Sequence, residues 1–278
     1  MEPTATRDRN AVSQNGNGYT NGNGNGAGFE RRGVLDDPTA ATLPGSVPTA
    51  VEIPNIDAES IAAELEHASA EESLRWAIDT FHPGLYIASS FQKTTSVTVH
   101  IATQINPDTR FFYLDTDVLF PETYETKDAL EERYGITFER YGGISLDEQA
   151  AVHGDALWNR DPDACCNIRK VEPMGEALST VDCWVSGIRR EDGKTRAKAA
   201  KFGWDKRFGL WKLNPLANWT IDEVWDFIRE HDIPYNPLHD QGYPSIGCTH
   251  CTIKPGAGED ERAGRWAGSN KSECGLHG

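Results

Sequence analysis

The chain has 278 residues, with 27 Lys or Arg against 43 Asp or Glu and a formal net charge of −16. A polyanion of this kind does not cling non-specifically to nucleic acid, whose binding depends on neutralising phosphates. A mean hydropathy of −0.57 without any long apolar run excludes a transmembrane helix. No apolar stretch follows Arg7 and Arg9, so a secretory leader is not expected and the expected compartment is the cytoplasm.

In chain order, residues 1–54 open on an Asn/Gly tract at 15–26 and run through Pro38, Pro44, Pro48 and Pro54. Such a segment buries too little apolar surface to offset its chain entropy, and disorder is expected. Asp57 can cap a helix reaching Ala68. Ser69 with Glu72 forms a capping box for a second helix, which His82-Pro83-Gly84 stops. Short apolar runs of strand character follow at 85–88, 111–114, 136–141, 183–185 and 210–213. Helix-like stretches at 94–105, 121–134, 166–178 and 221–230 separate them. This alternation predicts an α/β fold over residues 55–240, a twisted parallel sheet with helices on both faces. Residues 241–278 form a Gly-rich C-terminal segment holding Cys248, Cys251 and Cys274. Ligands in such sheets bind beyond the carboxyl ends of the strands, which selects 89–95 and 115–117.

Six cysteines in an intracellular chain point to metal binding or catalysis rather than disulfides. Cys165-Cys166 and Cys248-Thr249-His250-Cys251 supply four thiolates, which suit a [4Fe-4S] cluster or a structural zinc ion. Neighbouring side chains diverge, so the adjacent pair favours a cluster with separate iron corners over one compact ion. Asp163 is placed to cap the helix that begins near Cys165, and Arg169 and Lys170 follow one turn later, beside the cysteines or on a solvated face. Cys183 sits between Asp182 and Trp184 in a strand and reads as a core residue. Cys274 stands alone near the C-terminus, either a reactive thiolate on a mobile arm, with His277 nearby, or a tail cysteine without a role.

The loop 89–95 could offer backbone N–H groups to a phosphate, but it lacks the glycines of a Walker loop. Charge is unevenly spread. Residues 51–160 hold seven bases against twenty acids, while residues 189–212 hold nine bases against three acids. A basic island in an acidic protein marks an anion site or a solvated loop.

Several segments together resemble the iron–sulfur type of assimilatory adenylyl-sulfate reductase, over roughly residues 60–278. They are 114–116 (Leu-Asp-Thr), 165–173 (Cys-Cys-Asn-Ile-Arg-Lys-Val-Glu-Pro), 187–190 (Gly-Ile-Arg-Arg) with Thr195-Arg196, and 214–216 (Asn-Pro-Leu). Further matches are 243–251 (Tyr-Pro-Ser-Ile-Gly-Cys-Thr-His-Cys), 261–266 (Glu-Arg-Ala-Gly-Arg-Trp) and 273–277 (Glu-Cys-Gly-Leu-His). The resemblance implies an adenine-nucleotide alpha hydrolase-like fold and a [4Fe-4S] cluster on Cys165, Cys166, Cys248 and Cys251. It implies Cys274 as nucleophile with His277 near the reacting groups, and Lys170, Arg196, Arg262 and Arg265 around the phosphosulfate. Ser90, Leu114 and Thr116 would line the nucleotide pocket. The implied reaction reduces adenosine 5′-phosphosulfate to sulfite and AMP through an S-sulfocysteine, in sulfate assimilation and cysteine biosynthesis. Its reductant would be thioredoxin or a glutaredoxin-like protein, with no nucleic acid or membrane partner, and the oligomeric state is left open. The sequence Ser-Ser-Phe-Gln-Lys-Thr at 89–94 departs from the usual loop of this family and from the Gly-rich loop of its ATP-using cousins. Three rivals are a reductase of 3′-phosphoadenylyl sulfate, whose members generally lack the four cysteines, a non-catalytic zinc-stabilised binding domain, and an ATP-dependent sulfur-inserting enzyme.

Overall fold

A computed structural model describes residues 56–269 and 271–277. The expected disordered segment 1–54 lies outside the described residues. The helices begin where the caps predict. Asp57 accepts from the Ser60 amide ahead of α1 (Ala58–His67), and the reciprocal Ser69 and Glu72 bonds open α2 (Ala70–Phe81). Replacing Ser69 by Ala removes one half of that box and is expected to lower stability by about 1 kcal/mol, read as a shift in urea midpoint at constant slope.

The chain then winds through β1 (Leu85–Ser89), α3 (Lys93–Ile105), β2 (Arg110–Asp115), α4 (Pro121–Tyr134) and β3 (Phe138–Gly142). Two short helices, α5 (Leu146–His153) and α6 (Leu157–Arg160), lie where the sequence shows no strong periodicity. The predicted helix at 166–178 is broken into α7 (Pro162–Cys166), a π turn (Asn167–Val171) and α8 (Glu172–Leu178). Pro173 has no N–H for a carbonyl four residues back and crowds that turn, which accounts for the wider π geometry just before it. After β4 (Cys183–Val185) come β5 (Phe202–Asp205), β6 (Leu210–Leu213) and α9 (Ile221–Glu230).

The six strands lie in the order β3-β2-β1-β4-β6-β5. Five are parallel, as the alternation predicts, whereas β5 pairs antiparallel with β6 at the edge. This edge strand escaped the sequence reading because it is only four residues long, with Gly203 and Asp205 between and after its two aromatic residues. Phe202 is buried while Trp204 is 52% exposed. Alternate residues of each central strand face opposite layers, which is why these strands are continuously hydrophobic. Leu85, Ile87, Phe111, Cys183 and Val185 pack with α2, α3, α4 and α9 in the larger core. Tyr86, Phe112 and Trp184 pack with Met174, Ala177 and Leu178 of α8 in the smaller one. Cys183 is fully buried, the core residue expected of it.

The chain steps from β1 outward to β3 and then returns to the other flank of β1 at β4. That reversal opens a crevice above the carboxyl ends of β1 and β4. Among the described residues no helix is long and apolar enough to cross a membrane.

Candidate active site

The crevice at the strand reversal encloses ≈ 1030 Å³ including its open mouth. Ser90, Leu114 and Thr116 line it, as do Lys170, Arg265, Cys274 and His277. Seven residues selected from sequence thus meet in one cavity although they span almost two hundred positions of chain. Arg196 and Arg262 stand beside it rather than in it.

The first loop is committed to the C-terminal segment. Gln92 Oε1 accepts from the Ile246 amide at 2.8 Å, and the Lys93 amide donates to His239 Nε2 at 3.3 Å. The Lys93 ammonium donates to the Pro244 carbonyl at 2.7 Å and lies 3.6 Å from Glu261. Lys93 is therefore a tie between segments, and the loop keeps few free donors for a phosphate.

The four cysteines Cys165, Cys166, Cys248 and Cys251 line a single smaller recess next to the crevice. Cys165 and Cys166 end α7, whose cap is Asp161, accepting from the Ala164 amide at 2.9 Å. The cap expected at Asp163 is corrected: Pro162 takes the first helical position, and Asp163 is left to pair with Lys271 of the tail. Cys248 and Cys251 are presented by a 3₁₀ turn, pinned where the Thr249 amide donates to the Val118 carbonyl at 2.8 Å. Trp158 and His250 also line the recess, stacked with centroids 4.1 Å apart.

Burial, reinforced by the neighbouring thiols, pushes Cys165 up to about 11. Burial acts on Cys248 too, yet Lys170 and the Thr116 hydroxyl at 3.3 Å outweigh it and hold this thiol below its usual range. Burial likewise opposes the charge of Lys170, but Cys248 and Cys274 push it up to about 12. Lys170 lines both the recess and the crevice. It is the cation common to the two.

The recess fits an inorganic cluster in two respects. Four thiols face it, and all are free of disulfides. Arg169 lines it with a buried Nη2 that has no protein acceptor, and Trp266, whose amide donates to the Cys251 carbonyl, has an equally unpartnered Nε1. Among the described residues, no group of three His, Cys, Asp or Glu side chains is already arranged to hold a metal ion. The donor set is rich in sulfur, the ligand chemistry that iron–sulfur clusters and structural zinc share.

Arg169 is 1% exposed, so the solvated-face alternative does not describe it. It donates to Gln149, to the Thr116 carbonyl and to Asp117, tying the π turn to the end of β2. Gly143 packs against that same turn, and a Cβ there would lie 2.5 Å from the Ile168 carbonyl oxygen. Gly143→Ala is accordingly expected to cost about 1–3 kcal/mol in urea unfolding, because backbone rather than a flexible side chain must give way.

The tail crosses the crevice mouth. Glu273 is bound by Thr195, Arg196 and Arg262. Gly275 turns the chain with φ +83°, a left-handed conformation that lets Cys274, Leu276 and His277 all line the same cavity. Leu276 packs against the smaller core. His277 stacks on Trp184 with rings 6° from parallel, and its Nδ1 lies 3.2 Å from Lys212 Nζ. Burial and the cations Lys212, Arg196 and Arg262 push its imidazole well below the usual range, so it is neutral at pH 7. Lys212 is a protonated donor, so Nδ1 accepts and the hydrogen belongs on Nε2.

Much of the basic island is spent inside the protein. Arg189 pairs with Glu191 and Asp192, Arg190 with Glu66, and Lys201 with the Ala68 carbonyl. Sequence reasoning assigned no role to Glu273, Trp184 or the Trp158–His250 stack and read Lys212 only as part of the basic island, because none carries a spacing signal.

Residues 84–254 match the family described as the phosphoadenosine phosphosulfate reductase domain. An adenosine 5′-phosphosulfate reductase of Salinibacter ruber is 45% identical over 220 residues, covering 78% of this chain and 87% of that protein. One of Rhodococcus erythropolis is 45% identical over 240 residues, covering 82% of this chain and 96% of that protein. The crystal structure of a phosphoadenylyl-sulfate reductase from Candida auris, in complex with phosphate, superposes with a TM-score of 0.63 at 32% identity. That match covers 75% of this chain and all of the other.

Proposed function

Since the chain belongs to the phosphoadenosine phosphosulfate reductase domain family, we propose that it reduces adenosine 5′-phosphosulfate to sulfite and AMP, as an oxidoreductase of sulfate assimilation acting in the cytoplasm. The observation that carries this reading is the meeting of Cys274 with Lys170 and Arg265 in the crevice at the strand reversal. A lone tail cysteine there is a nucleophile delivered to a cationic nucleotide-sized site.

The nucleotide lies along Ser90, Leu114 and Thr116, with its phosphosulfate toward Lys170 and Arg265. Arg265 is buried and donates to Ser245 and to the Ile246 carbonyl, which fixes its guanidinium in place. No acid pairs with Arg265 or Lys170 among the described residues, so both charges are available to an anion. Preorganised cations of this kind stabilise the charge that develops as the leaving group departs.

The Cys274 thiolate attacks the sulfonate sulfur. An S–S bond forms, the sulfur–oxygen bond to the phosphate breaks, and AMP leaves with the bonding pair. A dithiol, of which thioredoxin is the expected form, then attacks Sγ of Cys274 and expels sulfite, leaving a mixed disulfide. Its second thiol closes a disulfide and returns the Cys274 thiolate. Sulfur gains the two electrons that the dithiol loses, so the reaction balances without another carrier. Neutral His277, with Nε2–H as a donor, can hydrogen-bond a sulfonate oxygen without carrying charge of its own.

Cys165, Cys166, Cys248 and Cys251 would hold a [4Fe-4S] cluster. When bound, it would supply a compact anionic body beside Lys170, tuning the field at the crevice. Turnover of the 5′-phosphosulfate and of its 3′-phosphorylated analogue with a dithiol, followed by sulfite release, tests the reading. Preference for the unphosphorylated nucleotide is expected, and sulfite from neither would refute the assignment.

A further inference from the structure

The polar grip on the tail next to Cys274 is concentrated in one acidic side chain. Glu273 Oε1 accepts from Arg196 Nε and from Thr195 Oγ1, each at 2.9 Å. Its Oε2 accepts from Arg196 Nη2 at 3.0 Å and from Arg262 Nη2 at 3.1 Å. Arg262 Nη2 also donates to the Ser272 carbonyl at 2.9 Å, so it grips backbone as well as carboxylate. Arg196 is braced from behind by Asp192 at 3.2 Å. Charge-assisted, forked bonds of this kind are stronger and more directional than neutral ones. All three side chains are mostly withdrawn from solvent, at 12–16% exposure, which sets them apart from the exposed ion pairs that contribute little.

Position along the chain gives the clasp its meaning. Glu273 directly precedes Cys274, and Gly275 directly follows it with a left-handed turn. Beyond that turn the tail is held by apolar packing of Leu276 and by the stacked His277. Arg196 and Arg262 are therefore occupied by the tail in this docked state, while Lys170 and Arg265 face the crevice.

We propose that Glu273, by engaging Arg196 and Arg262, is the positioning residue that seats the C-terminal tail and aims Cys274 into the crevice. Its kinetic consequence rests on the reading of Cys274 as nucleophile. The seating itself does not.

Both parts can be measured on the full-length, anaerobically purified protein with Glu273→Ala and Glu273→Gln. Hydrogen–deuterium exchange reads the seating without nucleotide. Amides of the tail peptide should exchange at least roughly tenfold faster in Glu273→Ala, a floor set by the loss of even one of its charge-assisted hydrogen bonds, with the sheet unchanged. Glu273→Gln, which keeps the shape but not the charge, should lie between the two. In single turnover with adenosine 5′-phosphosulfate, formation of the Cys274 adduct should slow by a similar factor. Release of sulfite from preformed adduct by a dithiol should keep its rate. Nucleotide affinity should not weaken, since the freed arginines remain cations near the site. Unchanged tail exchange in Glu273→Ala would overturn the proposal, as would a loss confined to nucleotide affinity. Faster tail exchange together with no Cys274 adduct in the wild type would uphold the clasp and refute the nucleophile instead.

Discussion

Cys274→Ser is expected to abolish sulfite release, with a fall on the order of 10⁶-fold, the scale seen when a covalent enzyme loses its nucleophile. Two physical reasons combine. A serine hydroxyl does not ionise near neutral pH, and the cations around position 274 cannot make up so large a deficit. Even an adduct formed on oxygen would be a dead end, because the second half of the reaction is attack by a thiol on the sulfur of Cys274. The exchange is nearly isosteric and lies outside the recess lined by Cys165, Cys166, Cys248 and Cys251, so iron content and unfolding midpoint should match the wild type. Mass analysis of the tail peptide after single turnover gives the second readout, with the sulfonated species present only in the wild type. Turnover by the variant would refute the mechanism.

Cys248→Ala is expected to remove the cluster. Wild-type protein purified without oxygen should be brown and hold about four irons per chain, and the variant should be colourless with little iron. Cys248 is the informative choice because it contacts both Thr116 at the end of β2 and the charge of Lys170. Its loss would remove at once one of the four proposed ligands and the thiol whose charge Lys170 favours. Sulfite formation should fall with the iron, since Lys170 lines the crevice as well as the recess. Colourless wild-type protein containing zinc would instead point to a structural ion and refute the cluster.

The four thiols of the second experiment are marked in the sequence by their spacing, whereas Cys274 owes its expected role to the family likeness. The pair at 165–166 and the spaced pair at 248–251 are separated by more than eighty residues, yet they share one recess. The helix caps at Asp57 and Ser69 were equally legible, because a cap is a local contact between one side chain and amides two or three residues on. The cap at Asp163 was misplaced by two residues. Asp161-Pro162 is the better start, since proline fits the first helical position and aspartate the one before it. The antiparallel β5 was not legible, because it is only four residues long, Gly203 and Asp205 interrupt its two aromatic residues, and at the sheet edge Trp204 need not be buried to be in place. Arg169 was ambiguous for a related reason. A helix face of two cations reads as solvated until a π turn rotates one of them inward onto Gln149 and Asp117.

The opening imbalance of charge shows the same division. Nine bases between 189 and 212 are plain in the sequence, but their employment is not. Arg189, Arg190 and Lys201 hold the fold together, Arg196 holds the tail, and Lys212 meets His277. Composition and local pattern by themselves determined the α/β alternation, the two close pairs of cysteines, the solitary thiol and the family likeness. These follow from nearest-neighbour chemistry along the chain. Tertiary structure alone decided which cations face the crevice and which are neutralised by Glu66, Asp192 or Glu273, because an ion pair is set by distance in space. A carboxylate seventy-seven positions away along the chain can stand 2.9 Å from its arginine.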